Sequence, residues 1–200
     1  ITCGKSTLIK HIIDLYNGES NDGNDIKIGS NVLIGYIPQV IEFDDDTKTL
    51  LEVARETFNG TETQLRSSLA KFLFYGNDVF KRVNMLSGGE KVRLKLFELM
   101  QQNINFLIMD EPTNHIDITT REVLESALSE FQGTILFISH DRYFINEIAK
   151  KVLYVEDKNI TEYLGNYDDY HNTKEKQLSL SKGKVVKGLQ NIDKIINIDQ

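Results

Sequence analysis

Residues 86–117 read "LSGGEKVRLKLFELMQQNINFLIMDEPTNHID", and the fold class follows from how this segment is built. It starts with Ser87 and Glu90 in the spacing of a capping box, which predicts the first turn of an amphipathic helix. The helical pattern then gives way to a short apolar run that ends in two carboxylates, Asp110 and Glu111. A buried strand with acidic residues at its carboxyl end is typical of α/β proteins, which bind ligands at that edge of the sheet.

The rest of the chain alternates in the same way. Apolar runs rich in β-branched and aromatic residues predict buried parallel strands at 32–37, 106–110, 134–139 and 151–156. Helical spacing predicts helices at 5–16, 119–131 and 141–150, the first two ending near Gly18 and Gly133. Between residues 39 and 87 helical patterns replace strands, which predicts an inserted helical subdomain at about 47–102. The predicted fold is α/β, with a mostly parallel sheet, flanking helices and that subdomain.

Composition narrows the class of protein. The chain has 200 residues, a net charge of −7 and one cysteine, Cys3, which excludes a disulfide framework within the chain. No apolar run approaches the roughly 18 residues that a membrane span needs, and we expect a cytoplasmic protein. Charge is uneven, because residues 171–200 carry six lysines against three acidic residues. That basic end fits either a nucleic-acid contact or a solvated helical tail.

The segment Gly4-Lys5-Ser6-Thr7 matches the second half of a phosphate-binding loop. Gly4 would let the backbone approach phosphate oxygens, and the amides that follow would point at them from a helix N-terminus. Lys5 would reach the β- and γ-phosphates of a nucleotide, and Ser6 would place its hydroxyl on Mg²⁺. The competing interpretation is that these four residues merely begin an ordinary helix.

Further candidates follow the predicted strands at the same sheet edge. Asp110 could hold Mg²⁺ through water, and Glu111 could orient or deprotonate the water that attacks a γ-phosphate. His140 could hydrogen-bond that phosphate, and Gln39 could complete the shell of the metal or of the water. Each also has a plain alternative, as a solvated strand end, a structural histidine or a loop glutamine.

The helix that begins at Ser87 has two glycines, Gly88 and Gly89, in its first turn. Glycine costs up to about 1 kcal/mol relative to alanine in a helix, so an advantage must offset this loss. Close approach of an anion to the bare backbone at this helix N-terminus is one such advantage. The alternative is simply a well-capped amphipathic helix.

These motifs, taken in their order along the chain, resemble an ATP-binding cassette (ABC) domain over residues 1 to about 170. The segment "DEPTNHID", together with "YLGNYDDY" at 163–170, resembles the ABC-F group, and most closely its second, C-terminal cassette. The resemblance implies binding and hydrolysis of ATP with Mg²⁺, a second cassette as partner, and work on the ribosome in translation or in antibiotic resistance. Residues 171–200 would then be a basic extension or the start of one.

The resemblance also implies a mechanism in which two cassettes pair head to tail. Ser87, Gly88 and Gly89 would face the ATP held by the phosphate loop of the partner, and Asp117 would lie near the seam. ATP would bridge the two halves, and its hydrolysis would release them.

Two alternatives stay open at this point. One is the ATPase subunit of a membrane transporter, which "TNHID" disfavours. The other is a non-hydrolysing fragment that binds a partner cassette or the ribosome, because the first half of the phosphate loop does not precede Gly4. Members of the group also carry Asn and Gly where Ile1 and Thr2 stand here. We therefore expect a chain truncated within its phosphate loop.

Overall fold

The computed structural model describes residues 5–19, 26–156, 159–182 and 195–198. The helices of these residues are α1 (Lys5–Tyr16), α2 (Leu50–Thr57), α3 (Glu62–Lys71), α4 (Gly88–Met100), α5 (Ile118–Glu130), α6 (Arg142–Ile148) and α7 (Tyr167–Lys182). The strands are β1 (Ile34–Ile37), β2 (Phe106–Asp110), β3 (Thr134–Ile138), β4 (Lys151–Glu156), β5 (Asn159–Leu164) and β6 (Ile195–Ile198). Short 3-10 helices span Gly76–Phe80 and Val83–Met85. No helix in these ranges is both long and apolar enough to span a membrane.

One sheet joins the described strands in the order β1-β2-β3-β6-β4-β5. The first three strands are parallel, with Met109 opposite Ile37 on one side and opposite Phe137 on the other. Their carboxyl ends therefore lie side by side, and the residues that follow them share one edge of the sheet. β6 pairs antiparallel with both β3 and β4, and β4 pairs antiparallel with β5.

The four predicted strands are confirmed, but the direction of pairing in one is corrected. The segment at 151–156 was expected to be a parallel strand, whereas β4 has only antiparallel neighbours in the described sheet. The sequence pattern missed two strands, β5 and β6. β5 escaped because most of its side chains are exposed, and an exposed edge strand lacks the apolar run that identified the others.

Apolar side chains cover both faces of the sheet, as alternation along a buried strand requires. Leu107, Met109, Ile135 and Phe137 face the larger core, which includes residues of α2–α6. Ile108, Leu136 and Ile138 face the opposite side, where they pack with Ile9 of α1. The packing of Ile9 against these strands holds the first turn of α1 over the carboxyl edge of β2 and β3.

The segment between β1 and β2 is helical, and capping boxes define where its helices begin. Thr49 with Glu52, Thr61 with Gln64, and Ser87 with Glu90 each exchange reciprocal side-chain and backbone contacts. The expected capping box at Ser87 is thereby confirmed. Phe72 meets the ring of Phe97 edge-on at 5.4 Å between ring centroids, and this aromatic contact ties α4 to the end of α3.

Two glycines were predicted to end helices, and only one does so by adopting a left-handed conformation. Gly18 follows α1 with φ 74°. Gly133 does not adopt a positive φ, and α5 already ends at Glu130. Gly133 directly precedes β3, and a Cβ on it would lie 2.5 Å from the backbone oxygen of Asn105. The position therefore needs a residue without a side chain.

A cluster of tyrosines packs α7 against the β4–β5 hairpin. Tyr170 lies 5.7 Å from Tyr154 and 5.0 Å from Tyr163, and Lys174 sits 3.3 Å from the centroid of the Tyr154 ring. α7 runs through residues 170 and 171 without interruption, so the expected passage from cassette to extension falls inside one helix. The division of the chain there stays a prediction.

Glu98 of α4 is a buried carboxylate that gives a pH-dependent prediction. Burial raises the pKa of Glu98 above its ordinary value of 4.5, and the Lys95 ammonium, 3.5 Å away, opposes only part of that rise. Below that ordinary value the group is protonated in both the folded and unfolded protein. Stability is therefore lost as the pH rises through the folded pKa, where the buried group must ionise.

Replacing Glu98 with Gln removes this titration. We expect the Glu98→Gln protein to melt at a higher temperature than the wild type at pH 8, with the difference shrinking as the pH falls to 4. Differential scanning calorimetry measures both melting temperatures, and Glu147→Gln at an exposed position of α6 is the control. If the variant instead melts at a lower temperature than the wild type at pH 8, and this difference disappears at pH 4, the contact with Lys95 outweighs the burial of the charge.

Candidate functional site

The first turn of α1 meets the end of β2 at the carboxyl edge of the sheet. Ser6 Oγ donates a hydrogen bond of 3.3 Å to Oδ1 of Asp110, and the carboxyl of Asp110 is buried. Lys5 is also buried, whereas Thr7 is exposed in the same turn. Gly4 falls outside the described residues. Two predicted metal ligands, Ser6 and Asp110, are thus brought together by the structure.

Glu111 and His140 form a pair at the same edge. The Glu111 carboxylate accepts a hydrogen bond from the His140 backbone amide at 3.2 Å, and its other oxygen lies 3.1 Å from His140 Nε2. Glu111 has a φ of 52°, a left-handed conformation that is unusual for a residue with a side chain. Two backbone hydrogen bonds hold this conformation. The Glu111 amide donates to the Ile138 carbonyl at 2.9 Å, and the Glu111 carbonyl accepts from the Asn114 amide at 3.1 Å. Strained backbone that its surroundings fix in this way is common at active sites.

The environment of Glu111 makes it a stronger base than an ordinary carboxylate. Burial raises the pKa of its carboxyl above the ordinary value, and the nearby Asp110 adds to the rise. The His140 side chain and amide, together with the Lys5 ammonium, oppose it. A raised pKa at the sheet edge, beside a histidine and a lysine, is the pattern expected of a general base.

Two hydroxyl residues that the sequence pattern did not single out support this pair. Ser139 is buried between β3 and His140, and its Oγ lies 3.0 Å from Thr113 Oγ1. The same Oγ accepts a hydrogen bond of 3.0 Å from the Asp141 amide. These contacts fix the loop that carries His140 against the loop that follows Glu111. The sequence feature that could have identified Ser139 is its place directly before His140 at the end of a strand.

β1 contributes residues on the other side of Asp110. Gln39 lies two residues beyond the end of β1, is exposed, and makes no side-chain hydrogen bond to any described residue. Tyr36, which the sequence pattern also missed, lies close enough to Asp110 for the carboxylate to affect its ionisation. Burial raises the pKa of Tyr36, and the charge on Asp110 raises it further.

A second group of predicted site residues lies at the starts of α4 and α5. Ser87 caps α4 and is exposed, and a Cβ placed on Gly88 would meet no atom within 4 Å. Gly89 differs, because a Cβ there would lie 3.1 Å from Thr120 Oγ1. Gly88 thus leaves open space, as approach of a ligand would need. At position 89 a side chain would instead press against Thr120 within the chain.

Asp117 caps α5. Its carboxylate accepts hydrogen bonds from the Thr119 hydroxyl and from the Thr120 amide, and these bonds lower its pKa to about 2. The hydrogen bonds of Ser87 likewise stay within the first turn of α4. The structure therefore assembles the predicted residues into two groups: a sheet-edge group (Lys5, Ser6, Asp110, Glu111 and His140) and a helix-start group (Ser87, Gly88, Gly89 and Asp117).

Comparison with known proteins agrees with this arrangement. Residues 2–114 match the family described as "ABC transporter". The Bacillus subtilis protein YdiF is 49% identical over 180 residues, which is 90% of this chain and 28% of YdiF. The "ABC transporter F family member 5" of Arabidopsis thaliana is 40% identical over 171 residues, 84% of this chain and 24% of its own length. The "Energy-dependent translational throttle protein EttA" of Haemophilus influenzae is 39% identical over 181 residues, 88% of this chain and 32% of EttA.

The chain thus spans less than a third of the length of each of these relatives. A solved structure of "RNase-L Inhibitor" superposes with a TM-score of 0.63 at 18% identity, covering 100% of this chain and 38% of that protein. At that identity the likeness supports the fold, which is the α/β nucleotide-binding fold expected from the sequence. The family match and the relatives show that this chain is an ATP-binding cassette of the ABC family and belongs to its ABC-F group.

Proposed function

We propose that this cassette binds and hydrolyses ATP at a head-to-tail interface with a second cassette, and that this cycle acts on the ribosome. The observation that carries the catalytic part is the buried, backbone-strained Glu111, paired with His140 beside Lys5 and Asp110. The ribosomal part is supported by the likeness to a protein named a translational throttle.

Within the sheet-edge group each residue has a proposed task. Lys5, at the start of α1, attracts the β- and γ-phosphates of ATP, and the amides of Ser6 and Thr7 point toward them. Glu111 takes the proton of the attacking water, for which its raised pKa suits it. His140 holds Glu111 in place through its amide and its ring, and contacts the γ-phosphate when the nucleotide is bound.

The oxygen atoms of Ser6 and Asp110 fit a magnesium ion shared with ATP. They lie 3.3 Å apart, and a hydroxyl with a carboxylate is a donor set that Mg²⁺ accepts while keeping water and phosphate oxygens as its other ligands. Gln39 is the third proposed ligand. The ion would neutralise charge on the phosphates.

Exposed apolar residues support an interface that carries both groups. Val40, Met85, Ile118 and Tyr143 are between 61% and 73% exposed. Each lies within three residues of a proposed site residue: Gln39, Ser87, Asp117 or His140. Exposed apolar side chains beside polar site residues are typical of a surface that a partner covers. A second cassette would cover it, with Ser87 and Gly88 contacting the ATP of that partner.

A sedimentation experiment tests the proposal. The intact protein that carries this cassette is pelleted with ribosomes in ATP, in ADP and without nucleotide. We expect ATP to increase the ribosome-bound fraction about tenfold over ADP, because only ATP supplies the γ-phosphate that closes the cassettes.

Two lysines of the same helix provide the matched variants. Lys5→Ala should lose the response to ATP, whereas Lys10→Ala, at an exposed position on α1, should keep it. Equal pelleting of wild-type protein in ATP and ADP would contradict the ribosomal proposal. ATP-dependent retention in a detergent-solubilised membrane fraction would instead favour the transporter alternative.

A further inference from the structure

Arg93, which the proposed cycle does not use, joins α4 to α5. Its Nη1 donates a hydrogen bond of 2.8 Å to Oγ1 of Thr120, and its guanidinium lies 5.3 Å from the centroid of the Phe74 ring. The Nε atom is buried and has no hydrogen-bond partner among the described residues. One hydrogen bond, one aromatic ring and the charges of the nearby Asp78 and Asp117 carboxylates therefore hold its guanidinium, and its Nε–H is left unsatisfied within the described residues.

Thr120 connects this arginine to the helix-start group. It is fully buried in the first turn of α5, and its amide donates to the Asp117 carboxylate at 2.6 Å. Its side chain fills the space beside Gly89, at the start of α4. One threonine thus contacts Arg93 and Gly89 of one helix and the capping residue of the other.

We propose that Arg93 is a positioning residue whose hydrogen bond to Thr120 locks the start of α4 to the start of α5. Ser87 and Gly88 then keep a fixed spacing from Asp117, and the helix-start group moves as one unit. Residues that contact a ligand or partner must be held to within roughly 0.5 Å, and a buried contact between two helix starts supplies that precision. Between α4 and α5 the chain passes through β2 and its loop, so the backbone alone does not provide this link.

Hydrogen–deuterium exchange on the intact protein tests the link directly. Arg93→Gln should speed exchange of the Thr120 and Arg121 amides about tenfold, because these amides bond to Asp117 at the start of α5. Thr120→Val should likewise speed exchange of the Glu90 and Lys91 amides, because these amides bond to Ser87 at the start of α4. Each substitution is thus detected in the opposite helix.

Arg66→Gln is the matched control. Arg66 also lies over an aromatic ring, that of Phe80 at 5.0 Å, but its hydrogen bond goes to Glu62 in its own helix. The Arg66→Gln variant should leave the exchange rates of the Thr120, Arg121, Glu90 and Lys91 amides unchanged. If Arg93→Gln does not fold, Arg93→Lys replaces it, since lysine keeps the stem and the charge but not the planar guanidinium.

The effect on turnover rests on the proposed function. Arg93→Gln should lower kcat for ATP about tenfold and leave KM within about twofold, because Arg93 positions the partner-facing residues. Thr120→Val should lower kcat by a similar factor. The double variant should lose no more kcat than either single variant, because both substitutions remove the same hydrogen bond between Arg93 and Thr120.

The outcomes separate this inference from the proposed function. Unchanged exchange at Thr120 and Arg121 in Arg93→Gln, or a double variant whose losses multiply to about a hundredfold, would overturn the link between the helices. If the variants exchange faster across the helices but the wild-type protein does not hydrolyse ATP, the link between the helices is supported and the proposed function is contradicted.

Discussion

Replacing Glu111 with Gln should lower the rate of ATP hydrolysis about 10³-fold, while ATP affinity stays within about threefold of the wild-type value. Gln keeps the size of the side chain and can still accept a hydrogen bond from the His140 amide, so the loop should keep its place. It cannot accept a proton from water. Loss of the rate alone would therefore assign the base to this carboxylate.

Phosphate release under single-turnover conditions measures the rate, and equilibrium binding of a fluorescent ATP analogue measures the affinity. Glu147→Gln, the same change at an exposed position of α6, is the control and should match the wild type. A Glu111→Gln protein that hydrolyses ATP within tenfold of the wild-type rate would exclude Glu111 as the base. A base would then have to be sought elsewhere at the sheet edge.

Replacing Gly88 with Asp should abolish ATP turnover, by about a hundredfold or more, without lowering the stability of the cassette. A side chain at Gly88 meets open space in the free cassette, and an acidic residue in the first turn of a helix interacts favourably with the helix dipole. In the closed pair, the added carboxylate would face the phosphates held by the partner, and like charges there cost several kcal/mol.

Gly88→Asn separates charge from size in this experiment. It adds a side chain of the same shape without the charge, and we expect it to keep more activity than Gly88→Asp. Thermal melting checks that both variants fold as stably as the wild type, to within about 2 °C. Wild-type turnover by a folded Gly88→Asp protein would show that this turn of α4 does not approach bound nucleotide.

Much of the fold was predictable because a buried parallel strand has a distinct signature. The apolar run at 106–109 is too short for a typical helix and so predicts a buried strand, and Asp110 and Glu111 then lie at the carboxyl edge of the sheet. β5, by contrast, is largely exposed and pairs with β4 through its backbone. Side-chain periodicity does not report that kind of contact, so the strand could not be predicted.

The candidate site residues were chosen one by one from the sequence, but their contacts could not be predicted. Glu111 Oε1 lies 3.1 Å from His140 Nε2 because of the register of β2 against β3. The distance between the two residues along the sequence does not predict this contact. Nor does the sequence show that Gly89 packs against Thr120. The pattern pointed to an anion as the reason for that glycine, whereas the structure shows that a side chain there would crowd Thr120 of α5.

The lifetime of the ATP-bound protein on the ribosome tests the account most directly. Glu111→Gln protein and wild-type protein are loaded onto ribosomes with ATP, and their release is followed over time after dilution into excess ATP. If hydrolysis at Glu111 ends the ribosome-bound state, the variant should remain bound at least about 100 times longer than the wild type. Release of both proteins at the same rate would show that this site does not control a ribosomal cycle.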